Sequence, residues 1–143
     1  MLTYLLETHT DLNSLSIFDV ETYTSDWERG IPYHTQLNIK VVSRGFSGYS
    51  RFTTDNDKLQ SFIHELNSVY ESLCGNARLQ DLDYGSYIEL SLDKKGVLLV
   101  QGILYDEHRE QELRFSFTSD QTALESMVKK MYQDIVVHQL HMI

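Results

Sequence analysis

The chain has 143 residues, 41% hydrophobic and 23% charged, which fits one globular domain over residues 1–143 and excludes collagen-like and disordered classes. Its one cysteine cannot form an internal disulfide, no signal-peptide pattern is present, and no apolar run approaches about 18 residues, so we expect a cytoplasmic protein outside the membrane. A formal net charge of −9 argues against a nucleic-acid partner and favours solubility or a basic protein partner.

The first 28 residues carry a large share of this charge. They contain six acidic residues and no lysine or arginine, so six of the nine net negative charges lie there. Such a segment projects a negative field that speeds encounter with a cationic protein, although acidic stretches also act simply as solubilisers. Residues 15–20 form a weak strand pattern in this segment, and a loop containing Gly30 and Pro32 follows Trp27.

Two strands and a helix are predicted next. Residues 37–41 alternate apolar and polar side chains, as a strand with one wet face does, and residues 48–52 form a weaker strand pattern. Thr54 or Asp55 can cap the following helix, and Gly75 can end it in the left-handed conformation. This amphipathic helix is predicted over residues 55–74 from the three-and-four spacing of Leu59, Phe62, Ile63, Leu66, Val69, Tyr70 and Leu73.

The second half of the chain predicts an antiparallel meander. Three strands follow a weaker candidate at residues 77–82, and they are joined by a polar turn ending in Gly96 and by a charged connection over residues 105–111. The three strands of the meander are predicted at residues 88–92, 97–104 and 113–117.

A second amphipathic helix is predicted over residues 120–140. Its start is ambiguous, because Asp120 is a good cap by itself while Thr122 and Glu125 also match a capping box. Its apolar stripe is wide enough to pack against a sheet and consists of Leu124, Met127, Val128, Met131, Tyr132, Ile135 and Val136.

The order of elements is strands, helix, strands, helix. Runs of strands favour an α+β fold over a doubly wound parallel sheet. We therefore predict one antiparallel sheet of about six to seven strands with the two helices packed on it.

Residues capable of chemistry are few and scattered. His138 and His141 lie one helical turn apart and could share a metal, but a third ligand is missing and an exposed pair near a fraying terminus is the simpler interpretation. Cys74 follows the C-terminal end of a helix, where the dipole disfavours a thiolate, so we expect a buried apolar plug. The segment 45–48 contains two glycines but no phosphate-binding lysine, and it predicts a turn or a bulge. We expect no catalytic residue, no cofactor and no metal.

Aromatic side chains divide between core and interface. Phe62, Phe115 and Phe117 fall on predicted inward faces and should lie in the core. Trp27, Tyr33 and Tyr49 lie in polar or loop-like surroundings, where an aromatic side chain can anchor a partner or pack at the edge of the core.

Residues 46–136 resemble the WapI-type immunity proteins of bacterial polymorphic-toxin systems and related small bacterial proteins. The similarity is carried by core apolar residues, turn glycines and a helix cap, most clearly by the segment FSFTSDQTAL over residues 115–124. The other matching positions are Phe52, Asp55, Leu59, Phe62, Leu66, Ala77, Leu79, Gly85, Ile88, Glu89, Leu90, Gly96, Val100 and Gly102. Residues 1–45 match poorly.

The resemblance implies a non-enzymatic protein that binds a cognate secreted toxin domain and blocks it. The partner would be a protein, and a cationic toxin domain such as a nuclease would suit the acidic surface. Our candidate partner-binding residues are Asp19, Glu21, Asp26, Trp27 and Glu28. The alternative is a small regulatory or protein-interaction module with an endogenous partner. The sequence leaves open whether the protein is a monomer or a homodimer.

Overall fold

The protein folds into eight strands and two α-helices, as a computed structural model of residues 3–8, 12–23 and 34–137 describes it. The first four strands precede the first helix and the other four precede the second helix. The elements are β1 (Thr3–Glu7), β2 (Asn13–Tyr23), β3 (His34–Ser43), β4 (Phe46–Asp55), α1 (Asn56–Ser72), β5 (Gly75–Gln80), β6 (Tyr87–Leu92), β7 (Val97–Tyr105), β8 (Glu112–Asp120) and α2 (Gln121–Met131).

The strands form two four-stranded antiparallel sheets. The N-terminal sheet has the order β1-β2-β3-β4, and the C-terminal sheet has the order β5-β6-β7-β8. The α+β class and the β6-β7-β8 meander are confirmed, whereas the prediction of one sheet with six to seven strands is wrong. β1 was not predicted as a strand. Its exposed position between buried Tyr4 and Leu6 is occupied by apolar Leu5, so the sequence does not alternate between apolar and polar residues there.

The N-terminal sheet ends at β4 because other groups occupy its outer backbone edge. The Thr53 N–H donates to the Asp81 carboxylate at 2.8 Å, and the Thr53 carbonyl accepts from the Leu82 N–H at 2.9 Å. No strand can pair there without displacing these bonds. The residues after β5 therefore prevent another strand from pairing with β4, and their hydrogen bonds to Thr53 connect the two sheets.

Buried polar side chains strengthen this junction, which we call the seam and define by Ser50, Thr53, Asp81, Ser86 and Tyr105. Asp81 is 1% exposed and also accepts from the Tyr84 N–H at 2.9 Å. The fully buried Ser86 hydroxyl lies 3.3 Å from the Ser50 hydroxyl and accepts from the Tyr105 N–H at 2.9 Å. Because the partners come from both sheets, the seam fixes one sheet against the other.

Both sheets and both helices contribute to one continuous hydrophobic core. α1 packs on β5 and contacts α2, while α2 also contacts β1. Phe62 is 0% exposed, Phe115 5% and Phe117 6%, so all three predicted core phenylalanines are confirmed.

The ends of α1 differ in part from the prediction. Asp55 caps the helix, since its Oδ1 accepts from the Lys58 N–H at 2.7 Å. Leu73, with φ 59°, takes the left-handed position that we predicted for Gly75, which opens β5 with φ 107°. Cys74 is exposed because it lies in the two-residue connection between α1 and β5, so the prediction of a buried plug is wrong.

The second helix is α-helical only to Met131. Asp120 caps it, as the Ala123 N–H donates to Asp120 Oδ1 at 3.0 Å, and a π-helical segment (Tyr132–Val137) continues it. The predicted residues 138–140 lie outside the described residues. The Tyr4 hydroxyl donates to Asp134 in the π-helical segment at 3.2 Å, and burial followed by the Asp134 charge raises the pKa of Tyr4 to about 12.

Candidate partner-binding surface

The outer face of the N-terminal sheet is the side of that sheet turned away from the core. Alternation along β3 places Leu37, Ile39 and Val41 inside, which leaves the residues between them outside. The strand register brings together on this face Leu5, Phe18, Glu21, Gln36, Asn38, Lys40, Tyr49 and Arg51. We use the name outer face for these eight residues.

A β-bulge in β2 determines which acidic side chain reaches the outer face. Phe18 pairs with Asn38 and Glu21 pairs with Gln36, so β2 carries one residue more than β3 over this interval. Asp19 takes a left-handed conformation with φ 51°, which aspartate tolerates better than most residues. Because the bulge changes the alternation, Glu21 joins the outer face instead of turning toward the core.

Phe18 and Tyr49 form an aromatic pair on the outer face. Their ring centroids lie 6.2 Å apart with an interplanar angle of 41°. The Tyr49 hydroxyl donates to Asn38 Oδ1, and Asn38 Nδ2 donates to the Phe18 carbonyl at 3.4 Å. Tyr49 is nevertheless 58% exposed, so a ring held at its polar end is presented to solvent.

The charges on the outer face are of both signs. Glu21 lies 3.9 Å from Arg51, and both side chains are about half exposed. Arg51 also donates to Gln36, and Lys40 is exposed nearby. An exposed pair of this kind contributes little to stability, but it offsets part of the negative field predicted for this region.

The structure places only part of the predicted binding set. Asp19 lies at the bulge beside the outer face, and Glu21 lies on the outer face. Asp26, Trp27 and Glu28 lie outside the described residues. Their role in binding stays a prediction. Tyr33, His138 and His141 also lie outside the described part of the chain. Of the three aromatic residues predicted at an interface, the described part contains Tyr49.

The sequence analysis missed Leu5 and Phe18 as surface residues. Leu5 is 41% exposed, and it belongs to a strand that was not predicted. Phe18 comes directly after Ile17, so the regular alternation that turns Leu15 and Ile17 toward the core turns Phe18 to the opposite face. The aspartate after this apolar run was the available signal for the bulge. Both residues add apolar area to the face that carries Tyr49.

Other predicted features have simpler outcomes. Of the segment 45–48, Gly45 lies in the predicted turn between β3 and β4, whereas residues 46–48 already belong to β4. Among residues 3–8, 12–23 and 34–137, no group of three or more His, Cys, Asp or Glu side chains could hold a metal ion. Within the same residues, no helix combines the length and the apolarity that a membrane crossing requires.

Comparison with protein families finds a match over most of the chain. The model of the immunity protein WapI-like family matches residues 9–136. The match extends beyond the resemblance seen in residues 46–136, because it includes β2, β3 and most of the outer face. A search of curated proteins finds no match.

Proposed function

The chain belongs to the immunity protein WapI-like family, and we propose that it binds a cognate secreted toxin domain and blocks it. Blocking by occupation needs one immunity protein for each toxin molecule and no turnover. The protein acts in this proposal as a cytoplasmic, non-enzymatic inhibitor. The observation that supports a particular binding surface is the pair of half-buried Phe18 and exposed Tyr49, which lies within the family match.

The outer face has the features of a protein-binding surface. Tyrosine is enriched among the residues that dominate binding energy, because its ring buries much area while its hydroxyl still forms a hydrogen bond. Tyr49 is exposed and already held by Asn38, so little side-chain freedom is lost when a partner covers it. Leu5 and Phe18 supply the surrounding apolar area.

Charge supports a cationic toxin domain. The chain has a net charge of −9, and Asp19, Glu21, Asp26 and Glu28 are close together in the sequence. Opposite charge can raise association rates to about 10⁸ to 10⁹ M⁻¹s⁻¹ at low salt. A toxin that holds phosphate with lysine and arginine would meet such a field at its active site.

Co-expression tests the proposal directly. A large secreted protein encoded next to the gene for this chain would supply the candidate toxin domain. We expect this chain to restore growth of cells that express the domain and to purify with it as a stable complex of equal stoichiometry. Failure to restore growth and to form a complex with that domain contradicts the proposed function.

A charge exchange tests the acidic residues. Asp19, Glu21, Asp26 and Glu28 are replaced together by lysine, and four exposed acids elsewhere, Glu71, Asp83, Glu107 and Glu110, are replaced in a control. Each set replaces four negative groups by four positive ones, so both variants change from −9 to −1. We expect the first variant to associate at least about tenfold more slowly than the control at low salt, with a weaker salt dependence. Equal association rates for the two variants, measured by stopped flow, would refute the assignment.

A further inference from the structure

β5 is an end strand of the C-terminal sheet, and one of its edges is open. The Asp81 N–H donates to the Ser86 carbonyl at 2.7 Å, which continues the β5–β6 register. Backbone direction alternates along an antiparallel strand, so Leu79 and Ala77 also direct their N–H and C=O groups to β6. The backbone groups of Asn76, Arg78 and Gln80 therefore point to the open edge.

The other sheet edges are less available. Lys130 Nζ donates to the Thr3 carbonyl at 3.1 Å, and α2 packs along β1. The edge of β4 is occupied at Thr53, as described above. β8 is the other end strand of the C-terminal sheet, and the groove described next lies beside β5.

This groove runs between α1 and the β5 edge and has a volume of about 290 Å³. Leu79 and Leu82 give it apolar surface, and Leu82 is 51% exposed. Lys58 of α1 and Arg78 of β5 are the basic residues of its lining, and the Arg78 guanidinium also lies 3.9 Å from the centre of the Tyr87 ring, with Nη1 3.9 Å from Glu89 Oε2. The one acidic group in the lining is Glu65, and burial raises the pKa of its carboxyl. The lining therefore holds two basic side chains and one acidic side chain, on a protein with a net charge of −9.

We propose that the open edge of β5 accepts an extended segment of the toxin by strand addition, with an acidic side chain of that segment facing Lys58 and Arg78. The unpaired N–H and C=O groups of Asn76, Arg78 and Gln80 bond the backbone of the added strand, and the groove receives its alternate side chains. This inference rests on the proposed function, because it takes the toxin as the partner.

Charge favours a different protein over a second copy of this chain as the occupant. Two copies of β5 paired in a symmetric antiparallel arrangement would bring Arg78 of one close to Arg78 of the other, since Arg78 lies at the middle of the six-residue strand. Like charges on paired strands are destabilising. A segment with a carboxylate instead gives opposite charges at the same place.

The test uses two kinds of variant with matched controls on β8. The Lys58→Glu/Arg78→Glu double variant reverses the charge of the groove, and Arg114→Glu reverses an exposed charge on β8. Gln80→Pro removes an N–H that points to the open edge and leaves the hydrogen bonds between β5 and β6 in place. Ser116→Pro is the corresponding change on β8. The hydrogen bond from the Asp106 N–H to the Gln111 carbonyl fixes which backbone groups of β8 face β7, and the Ser116 N–H faces away from it. Thermal melts identify the variants that keep the fold.

We expect the double variant and Gln80→Pro each to raise the dissociation constant for the purified toxin domain at least about tenfold, with both controls within about twofold of the original chain. In the complex, amide exchange followed by NMR should slow at Arg78 and Gln80 and stay unchanged at Arg114 and Ser116. The exchange experiment needs no substitution, so it tests the edge even if a variant fails to fold.

The outcomes separate the two proposals. One outcome refutes strand addition and leaves the proposed function standing. In it, the original chain neutralises the toxin, the edge variants bind the toxin with the same dissociation constant, and the amides of Arg78 and Gln80 gain no protection. If light scattering shows a dimer of this chain that Arg78→Glu dissociates, the occupant is a second copy and the inference is also overturned. If the original chain fails to neutralise or bind the toxin, the proposed function fails first.

Discussion

Tyr49 shows at the scale of one residue how a surface side chain can be prepared for binding. Its hydroxyl is engaged by Asn38 and its ring rests beside Phe18, yet more than half of the side chain is exposed. Most exposed aromatic side chains lose rotamer freedom when a partner covers them. Tyr49 has already lost much of it in the folded monomer.

We expect Tyr49→Ala to weaken toxin binding about 30-fold, the effect of losing about 2 kcal/mol at a binding hot spot. Phe46→Ala is the matched control, because Phe46 is an aromatic residue of the same strand and is 72% exposed at the turn before the outer face. Titration calorimetry with the purified toxin domain measures both. Equal losses for the two variants would mean that the ring at position 49 has no special role.

Sequence reasoning recovered Tyr49 but not its neighbours, for a physical reason. A tyrosine among polar residues indicates exposure by itself, whereas Phe18 directly follows Ile17 in an apolar run, and only pairing with β3 shows that Phe18 faces outward and that a bulge after it brings Glu21 to the same face. Asp19 holds the left-handed conformation of that bulge. A single aspartate does not distinguish a bulge from an ordinary polar position in a strand.

At the scale of elements, the helices were the most predictable part. The apolar periodicity of α1 and α2 requires no knowledge of the partner surface, and every predicted stripe position is buried or half-buried except Leu73, which ends α1. The choice between neighbouring caps was not predictable, because Thr54 and Asp55 both suit a cap and Thr54 is instead buried in β4. Strand β1 was not predicted, because the residues of β1 that face inward are fixed by its pairing with β2 and not by a pattern in its own sequence.

The contact of β1 with the π-helical segment gives a pH dependence. The pKa of Tyr4 is about 12 in the folded protein, above the value of roughly 10 for an unperturbed tyrosine. Below pH 10 both states keep this proton, and the contribution of Tyr4 to stability is complete. Between about pH 10 and 12 the unfolded state loses the proton first, so this contribution decreases as the pH rises.

Tyr4→Phe should remove that decrease, because phenylalanine has no proton to lose. We expect a steeper fall of the free energy of unfolding from pH 9 to 11.5 in the original chain than in Tyr4→Phe, measured by urea denaturation. Tyr84→Phe, on an exposed loop, should behave as the original chain. Parallel curves for the original chain and Tyr4→Phe would contradict the assignment.

At the scale of the whole molecule, the division into two sheets was beyond the sequence. The weak patterns around β4 and β5 are compatible with neighbouring strands in one sheet. What prevents their pairing is the occupation of the Thr53 edge by Asp81 and Leu82, nearly thirty residues later. Such contacts depend on chain segments that no local pattern connects.

Asp81→Ala tests the seam. The substitution leaves the buried Thr53 N–H without its acceptor and also removes the bond to Tyr84, so we expect a loss of about 3 kcal/mol and a melting temperature lower by about 10 °C. Asp83→Ala, at an exposed position of the same loop, should change the melting temperature by less than about 2 °C. Similar calorimetric melts for the two variants would show that the seam does not hold the sheets together.

The bond between Tyr4 and Asp134 joins residues 130 positions apart. A ribosome must therefore make nearly all of the described chain before β1 gains this contact, so the packing of β1 against the C-terminal segment is completed late in synthesis. Under the proposed function, protection of a cell would then depend on its stock of finished molecules, since a growing chain has not yet packed its first strand against that segment.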